Sequence, residues 1–291
     1  MTEPKENYKP LVTVGIPVHN GGKYLRQAIV SVLHQTYTRF ELIITDDGST
    51  DNSIEVIKEY DDTRIILVAD GKNEGLPYRL NQQVSMARGK YFFRMDADDI
   101  MFPTRLEEQL SFLEKNSFID IVGAKALIIN EDNQIIYQLK KGGHAPQHCQ
   151  DVMRGNIFVH PTVAGKTEWF KMHHYDEKKT RSQDFFLWLE TVDTSNFALM
   201  DKPLLFYRIT EENILNKFVK NNRLMRQYFW EEYKMDGSFL SFRNWIRQVL
   251  RRPEFYLYHA LVGDKGIIKR RYDSISDDEK QQYETILRQI I

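Results

Sequence analysis

Short apolar runs alternate with helical periods along residues 11–129, and this alternation limits the possible folds more than any other feature. Each run is rich in β-branched or aromatic residues, and the runs lie at 11–16, 40–45, 64–68, 91–95 and 119–129. Between the first two runs, Leu25, Ala28, Ile29, Val32 and Leu33 mark one face of a helix. The pattern predicts βαβ units with right-handed crossovers. We therefore expect an α/β fold, with a mostly parallel sheet, Rossmann-like, and flanking helices.

The rest of the chain is organised differently. Residues 1–10 carry two prolines and several charges, which predicts a flexible tail. Residues 130–210 have a weaker pattern, typical of an α+β segment with a helix at 183–192 and a strand at 204–207. The sequence from 211 to 291 is almost wholly helical in pattern and forms a predicted C-terminal extension.

Composition excludes several classes of protein. A 42% hydrophobic and 28% charged chain has enough apolar residues to fold, unlike a disordered one. One cysteine excludes a disulfide framework and favours a reducing compartment, so we expect a cytoplasmic location. Without an apolar run of about 18 residues or a signal-peptide pattern we expect no membrane span. A net charge of −1 gives no reason to expect nucleic acid as a partner.

Polar residues follow the predicted strands, at the sheet edge where open α/β folds bind ligands. Glycines in the first turn allow close approach of a ligand to the backbone, and carboxylates can accept hydrogen bonds from a nucleobase or a ribose. Ser49, Thr50 or Asp51 also fits a helix N-cap, but an N-cap does not explain the two acids before them, Asp46 and Asp47. The candidate nucleotide-binding residues are Pro17, Val18, Asn20, Asp46, Asp47, Asn73, Gly75, Asp96 and Ala97.

Three carboxylates within four residues, Asp96, Asp98 and Asp99, follow an apolar strand. Such groups repel one another unless a cation is near, and oxygen ligands suit Mg²⁺ or Mn²⁺. We therefore expect this cluster, Asp98 and Asp96 included, to hold the metal. Arg94 is either a buried ion-pair partner of this cluster or a phosphate ligand.

Five motifs, in order and spacing, resemble family 2 glycosyltransferases, which have the A-type glycosyltransferase fold (GT-A). The resemblance covers roughly residues 11–210, and implies a nucleotide-binding half at 11–129 and an acceptor half at 130–210. It implies that Asp47 meets the base, usually uracil, Asp96 the ribose and Asp98 the metal. The motifs are 14–20, 46–51, 73–76, 94–99 and 103–109.

The second half extends the resemblance and implies that Asp184 is the catalytic base, although Gln183 stands where an acid is common. A helix N-cap is the alternative interpretation of Asp184. His160 contacts the acceptor or the diphosphate, or is a core histidine. The other candidate contacts of the acceptor or the diphosphate are Trp188, Tyr207 and Arg208. For the two aromatic residues, core packing is the alternative.

The expected reaction moves a sugar from a nucleoside diphosphate sugar, which the resemblance implies is UDP-linked, to a hydroxyl of a glycan or a lipid-linked acceptor. One base without a second carboxylate nucleophile predicts a single displacement with inversion. This would serve the synthesis of a surface polysaccharide, such as capsule or lipopolysaccharide. The alternatives are a sugar nucleotidyltransferase and a nucleotide-sugar-binding module without activity.

Residues 238–272 carry eight Lys and Arg against two acidic residues. Arg243, Arg247 and Arg251 recur every four residues, beside apolar residues that include Phe242 and Trp245. This pattern predicts either peripheral contact with an anionic membrane surface, on its inner face, or a solvated face packed on the catalytic domain.

Overall fold

The computed structural model describes residues 11–139, 144–153, 158–209 and 214–291. The side chains of 214–221, 240, 262 and 264–272 lie outside this description, and so does the predicted tail at 1–10. Within the described residues the expected α/β fold is confirmed, with a curled, mostly parallel sheet, flanking helices and a C-terminal helical region.

The first four strands along the chain form a parallel sheet, in which the first strand lies between the second and the fourth, and the third lies beyond the second. These strands coincide with the predicted apolar runs. The first, second and fourth are buried along their whole length, whereas the third, at the end of the sheet, is only partly buried. The strands of the sheet are Val12–Val18 (β1), Phe40–Asp46 (β2), Ile65–Ala69 (β3), Tyr91–Arg94 (β4), Ile100–Met101 (β5), Ile121–Ile129 (β6), Ile135–Leu139 (β7), Ala164–Lys166 (β8) and Phe197–Arg208 (β9).

The short strand β8 joins the two halves of the sheet, since it pairs antiparallel with both β4 and β6. The long strand β9 runs parallel to β6 and also pairs with β5, which brings Arg208 to the edge where the first strands end. The predicted strand at 204–207 covers only the end of β9. The irregular register of β9 against β6, at Lys125, hides the first part from a period-two pattern.

The helices confirm the predicted faces, since Leu25, Ala28, Ile29 and Val32 of the first helix are buried. The helices are Gly22–Leu33 (α1), Ser53–Lys58 (α2), Leu76–Met86 (α3), Arg105–Lys115 (α4), Cys149–Met153 (α5), Thr167–Met172 (α6), Gln183–Thr191 (α7), Ile214–Asp236 (α8), Phe239–Arg271 (α9) and Asp277–Ile290 (α10). A 3-10 turn covers His160–Thr162, and a two-residue strand, Tyr272–Asp273 (β10), precedes α10.

The chain forms two compact units, one ending at Arg208 and resuming at Ile275–Ile291, the other comprising Ile209–Ser274. The predicted helical region 211–291 is thus divided between them. Helix α10 begins with a Ser276 capping box and buries Leu287 and Ile290 in the apolar cluster of the first unit. The sequence did not reveal this return, because an amphipathic period does not specify its partner.

The second unit is a pair of helices, α8 and α9, packed against each other. Trp230 and Trp245 meet with ring centroids 5.0 Å apart, and the Asn222 side chain donates to the carbonyl of Gln248 at 2.9 Å. Among the described residues, no helix is long and apolar enough to cross a bilayer.

Candidate active site

The turns that follow β1, β2 and β4 are neighbours because the strands are adjacent and parallel. The register pairs Val18 with Asp46 and Gly15 with Arg94. The amide of Asp47 donates to the carbonyl of Val18 at 2.7 Å. The predicted ligand edge therefore brings together the strand ends that carry the candidate residues.

The first two turns interlock through Asn20. Its amide donates to Oγ of Ser49 at 2.9 Å, and its Oδ1 accepts from the amide of Thr50 at 2.8 Å. Asn20 is left-handed, with φ 52°, a conformation that asparagine tolerates better than most residues. Of the N-cap candidates, Asp51 binds the amides of both Gly22 and Ser53, which ties the starts of α1 and α2 together.

The Asp47 carboxylate holds the loop of Asn73 and Gly75. Its oxygens accept from the amides of Glu74 and Gly75 at 2.8 and 3.1 Å, and from Nε of Arg79 at 3.0 Å. Arg79 is fully buried and also binds Asp70. Asp47 therefore holds this loop, and its contact with the base, which the resemblance implied, remains a prediction.

Asp46 is the other acid of the pair, and it is fully buried. Its Oδ2 accepts from the amide of Ser49 at 3.1 Å, whereas its Oδ1 has no hydrogen-bond partner within the described structure. A buried acceptor of this kind is costly unless a ligand or water meets it. Asn73 lies nearby, with its side chain 3.3 Å from the His19 ring.

Asp96, Asp98 and Asp99 form a compact carboxylate cluster, with one oxygen of each within 4.8 Å of the others. Burial, and then the charge of Asp96, raises the pKa of Asp98 to about 6. The same two causes, joined by the charge of Asp98, raise the pKa of the fully buried Asp99 well above its usual value. The site therefore resists holding three negative charges by itself.

Arg94 is the cluster's internal cation. Its guanidinium donates from Nη1 to Asp96 at 2.7 Å and pairs through Nη2 at 2.5 Å. Beneath it lies Arg105, which sequence reasoning noted only as part of a motif; its Nη2 donates to the carbonyl of Arg94 at 2.9 Å. Burial lowers the pKa of Arg105 to about 9.

Arg208 fixes the loop that carries the cluster. Its amide donates to Oδ1 of Asp99 at 2.9 Å and its Nε to the carbonyl of Asp98 at 2.8 Å. The rest of the guanidinium bridges the carbonyl of Asn130 and the side chains of Gln27 and Asn133, above the Tyr24 ring. Each of the three guanidinium nitrogens is held by a protein group, and the contact of Arg208 with the acceptor or diphosphate remains a prediction.

Asp184 lies in the first turn of α7, near Arg94 and Asp96, whose charges both act on it. Burial is the main cause that raises the pKa of the Asp184 carboxyl, and the amide of Phe185 opposes it. A carboxyl with a raised pKa beside a cationic group is suited to accept a proton.

The remaining acceptor-side candidates are mostly interior. His160 is buried and lies 2.8 Å from the hydroxyl of Tyr175, and burial lowers the pKa of the imidazole well below its usual value. Trp188 is fully buried and meets His160 edge-on, so it offers no surface to an acceptor here. Tyr207 is half-buried beside the acidic cluster, where burial and the nearby carboxylates raise its pKa.

Tyr175 is not among the candidate residues named from the sequence, although its hydroxyl lies beside the His160 ring. Asn81 holds its backbone on both sides, accepting from its amide and donating to its carbonyl, each at 2.9 Å. The charges of Arg94 and Asp184 also act on its hydroxyl. No period or spacing in the sequence could have indicated this contact across 94 residues.

The model of the family described as Glycosyl transferase family 2 matches residues 13–205. The chain belongs to this family. An uncharacterised glycosyltransferase of Methanocaldococcus jannaschii is 34% identical over 76% of this chain and 78% of its own length. The putative glycosyltransferase EpsE of Bacillus subtilis is 33% identical over 71% of this chain and 75% of its own. The relatives do not favour the nucleotidyltransferase or inactive-module alternatives.

Solved structures of glycosyltransferases share the fold. S. aureus TarS 1–349 in complex with UDP-GlcNAc has a TM-score of 0.61 at 16% identity, over 94% of this chain and 79% of that one. The mannosyltransferase PcManGT of Pyrobaculum calidifontis, in complex with GDP-Man and Mn²⁺, has a TM-score of 0.60 at 15% identity, over 83% and 69%. This family 2 chain therefore has the GT-A fold that the motifs implied.

Proposed function

We propose that this glycosyltransferase is a metal-dependent, inverting enzyme that moves a sugar from UDP to a hydroxyl of a glycan or lipid-linked acceptor in surface polysaccharide synthesis. The observation that carries the proposal is the carboxylate cluster of Asp96, Asp98 and Asp99, with Asp184 in its electrostatic reach. The cluster would bind the donor's diphosphate through a cation, and Asp184 would act on the acceptor hydroxyl.

The cluster fits Mn²⁺ or Mg²⁺ by its donor set. All three groups are carboxylates, and Oδ2 of Asp99 is buried without a hydrogen-bond partner in the described structure. Hard divalent cations prefer such oxygens and also bind substrate phosphates. Asp98, with Asp96, would hold the ion, which when bound offsets the charge of the departing diphosphate. A Mn²⁺-bound relative of the same fold supports this assignment.

Asp184 would take the proton of the attacking hydroxyl. Its raised pKa brings the carboxylate closer in basicity to the working pH than an exposed aspartate, which strengthens it as a general base. Arg94, fixed on Asp96, would keep part of the carboxylate population charged. With Asp184 as the base and no role for a carboxylate nucleophile, the sugar would be displaced once, with inversion at its anomeric carbon.

The nucleotide would occupy the edge formed by Pro17, Val18 and Asn20, the pair Asp46 and Asp47, and the loop of Asn73 and Gly75. Asp46 keeps an unpartnered acceptor for a base or a ribose, while Asp47 would act by holding the loop. Asp96 and Ala97 would border the ribose. Relatives of the same fold with UDP, UDP-GlcNAc and GDP-Man support a nucleotide sugar as donor.

The acceptor would approach from the side of Asp184. His160 would order this side through the Tyr175 hydroxyl, with Trp188 packed behind it. Tyr207 and Arg208 border the cluster from β9. We place the reaction at the inner face of the cell membrane, with residues 238–272 in peripheral contact.

Titration calorimetry with UDP, and UDP release assays with a panel of UDP-sugars, test the proposal. Mn²⁺ should strengthen UDP binding, and Asp98→Asn should remove that gain. Asp184→Asn should lower transfer by about 10²- to 10⁴-fold, the range of general-base catalysis, while UDP affinity stays unchanged.

The matched control is Glu190→Gln, an exposed carboxyl of the same helix, which should keep full activity. Full transfer by Asp184→Asn would remove Asp184 from the role of base. UDP binding that ignores Mn²⁺ would contradict the metal assignment, and retention of the anomeric configuration, seen by NMR of the product, would contradict the single displacement.

A further inference from the structure

Helix α9 presents large apolar side chains on its exposed side. Five of them, Phe239, Ile246, Leu250, Leu257 and Leu261, form a set that we name the apolar stripe. They recur at intervals of seven, four, seven and four residues, which on a regular helix places all five within about 60° around its axis. The two end residues, Phe239 and Leu261, are 77% and 75% exposed. The stripe spans about 33 Å and ends just before Gly263, whose φ of 63° interrupts the helix.

The opposite side of α9 already has a partner. Ser241, Asn244 and Gln248 are buried there, and Asn222 of α8 donates to the carbonyl of Gln248. The predicted membrane aromatics also face α8, since Phe242 lies 5.0 Å from the Tyr233 ring and Trp245 lies 5.0 Å from Trp230. Three polar residues and two aromatic rings thus pack on α8, while large aliphatic side chains remain on the exposed side, where an ordinary surface helix carries polar residues.

Positive charge borders the stripe along one flank. Arg243, Arg247 and Arg251 are exposed and follow one another at four-residue steps, so they form a row beside the apolar side chains. Glu254 is the exposed acid close to this row. The side chains of Lys265, Lys269, Arg270 and Arg271, part of the predicted basic region, lie outside the described residues.

We infer that α9 lies in the interface of an anionic bilayer, with the apolar stripe among the acyl chains and the arginine row on the headgroups. An apolar face buried at the interface and cations attracted to anionic lipid are the two terms that hold such helices. Charge complementarity selects anionic lipid, because a purely apolar partner would take the exposed guanidinium groups of Arg243 and Arg247 out of water without offering them an anion. The inference rests on the proposed function for its setting, and it assigns the membrane face to the stripe, because Phe242 and Trp245 pack on α8.

Sedimentation of the full chain with vesicles tests this surface. Phosphatidylcholine vesicles containing phosphatidylglycerol should bind the protein, and vesicles of phosphatidylcholine alone should bind much less. The triple variant Arg243→Glu, Arg247→Glu and Arg251→Glu should lose on the order of 100-fold in partition, from the three cations removed. The double variant Leu250→Ser and Leu257→Ser should also lose binding.

A matched triple variant, Arg39→Glu, Lys58→Glu and Lys115→Glu, makes the same charge change on exposed residues of the first unit and should bind like the unchanged protein. UDP affinity should be the same in all variants, so a failed membrane result and a failed nucleotide result are distinguishable. Absence of binding to anionic vesicles, or equal loss in the control triple, overturns the inference. So does sedimentation velocity showing a dimer that the Leu250→Ser, Leu257→Ser pair abolishes, with no lipid binding.

Discussion

Replacement of Arg208 by methionine tests whether this side chain holds the acidic loop. The change keeps much of the apolar volume and removes four side-chain hydrogen bonds, to the carbonyls of Asp98 and Asn130 and to the side chains of Gln27 and Asn133. It also removes the cation from the Tyr24 ring, 4.1 Å away. Arg208 is 3% exposed, so water cannot replace it freely.

The two carbonyls determine the size of the effect, since the amide side chains can turn toward other partners. A partly buried acceptor left without a donor costs about 1–3 kcal/mol, and the cation–π contact adds about 1 kcal/mol. We therefore expect the free energy of unfolding to fall by roughly 3–7 kcal/mol, a decrease on the order of 10 °C in the melting temperature.

The same change should weaken Mn²⁺ binding by about 10- to 100-fold, as expected when the groups that orient metal ligands are lost. Arg208 orients Asp98 through its carbonyl, and the backbone amide of the same residue orients Asp99. Differential scanning fluorimetry measures the stability, and calorimetry with Mn²⁺ and UDP measures the affinity. Arg208→Lys, which keeps the charge without the planar fork, should fall between methionine and arginine.

Arg39→Met is the control, because Arg39 is an exposed arginine. It should leave both quantities unchanged. If Arg208→Met melts within 1–2 °C of the unchanged protein, a range that corresponds to less than about 1 kcal/mol, or keeps its Mn²⁺ affinity, the Arg208 side chain does not stabilise the acidic loop.

Three further predictions concern other parts of the site. Burial keeps His160 neutral in the native protein, whereas an unfolded histidine gains a proton below about pH 6.5, so the native state loses stability as the pH falls below that value. In urea unfolding between pH 7.5 and 5.5, the free energy of unfolding of His160→Gln should therefore fall less steeply than that of the unchanged protein. Equal slopes would contradict the burial argument. Mn²⁺ should raise the melting temperature more at pH 7.5 than at pH 5, since protons compete for Asp98, whose pKa is about 6, and an equal rise at both would place the ion elsewhere. Gly15→Ala should lower the free energy of unfolding, measured in urea, by roughly 1–3 kcal/mol. A Cβ at this position would lie 2.5 Å from Oε1 of Gln83 and 2.6 Å from the Phe92 ring. Unchanged stability would mean that both neighbours can move.

The sequence predicted the layout of the site because strand ends and turn residues are local signals. The apolar runs predict β1, β2 and β4, and parallel pairing then brings Asp46 and Asp96 to one edge. The buried face of α1 follows from a period of 3.6 residues in the same way.

What the sequence could not predict depends on contacts between distant residues. The sequence does not show that Arg79 binds Asp47 rather than Asp46, because this contact joins residues 32 positions apart. Packing on α8 decides that Trp245 of α9 faces inward and Leu250 outward, and the order of apolar residues in the sequence does not reveal that choice. The role of Arg208 needs β9 to lie beside β6, a pairing with an irregular register.

The return of the chain at Ile275 has a consequence for synthesis on the ribosome. The catalytic unit is discontinuous, so a nascent chain that has already made Arg208 still lacks the segment that covers Phe102. Until Tyr283, Leu287 and Ile290 emerge, the stacked pair Phe102 and Phe206 has one side open to water and to chaperones. Residues translated after the second unit thus complete the first unit, and a chain cut before residue 275 keeps every acid of the site while exposing that cluster.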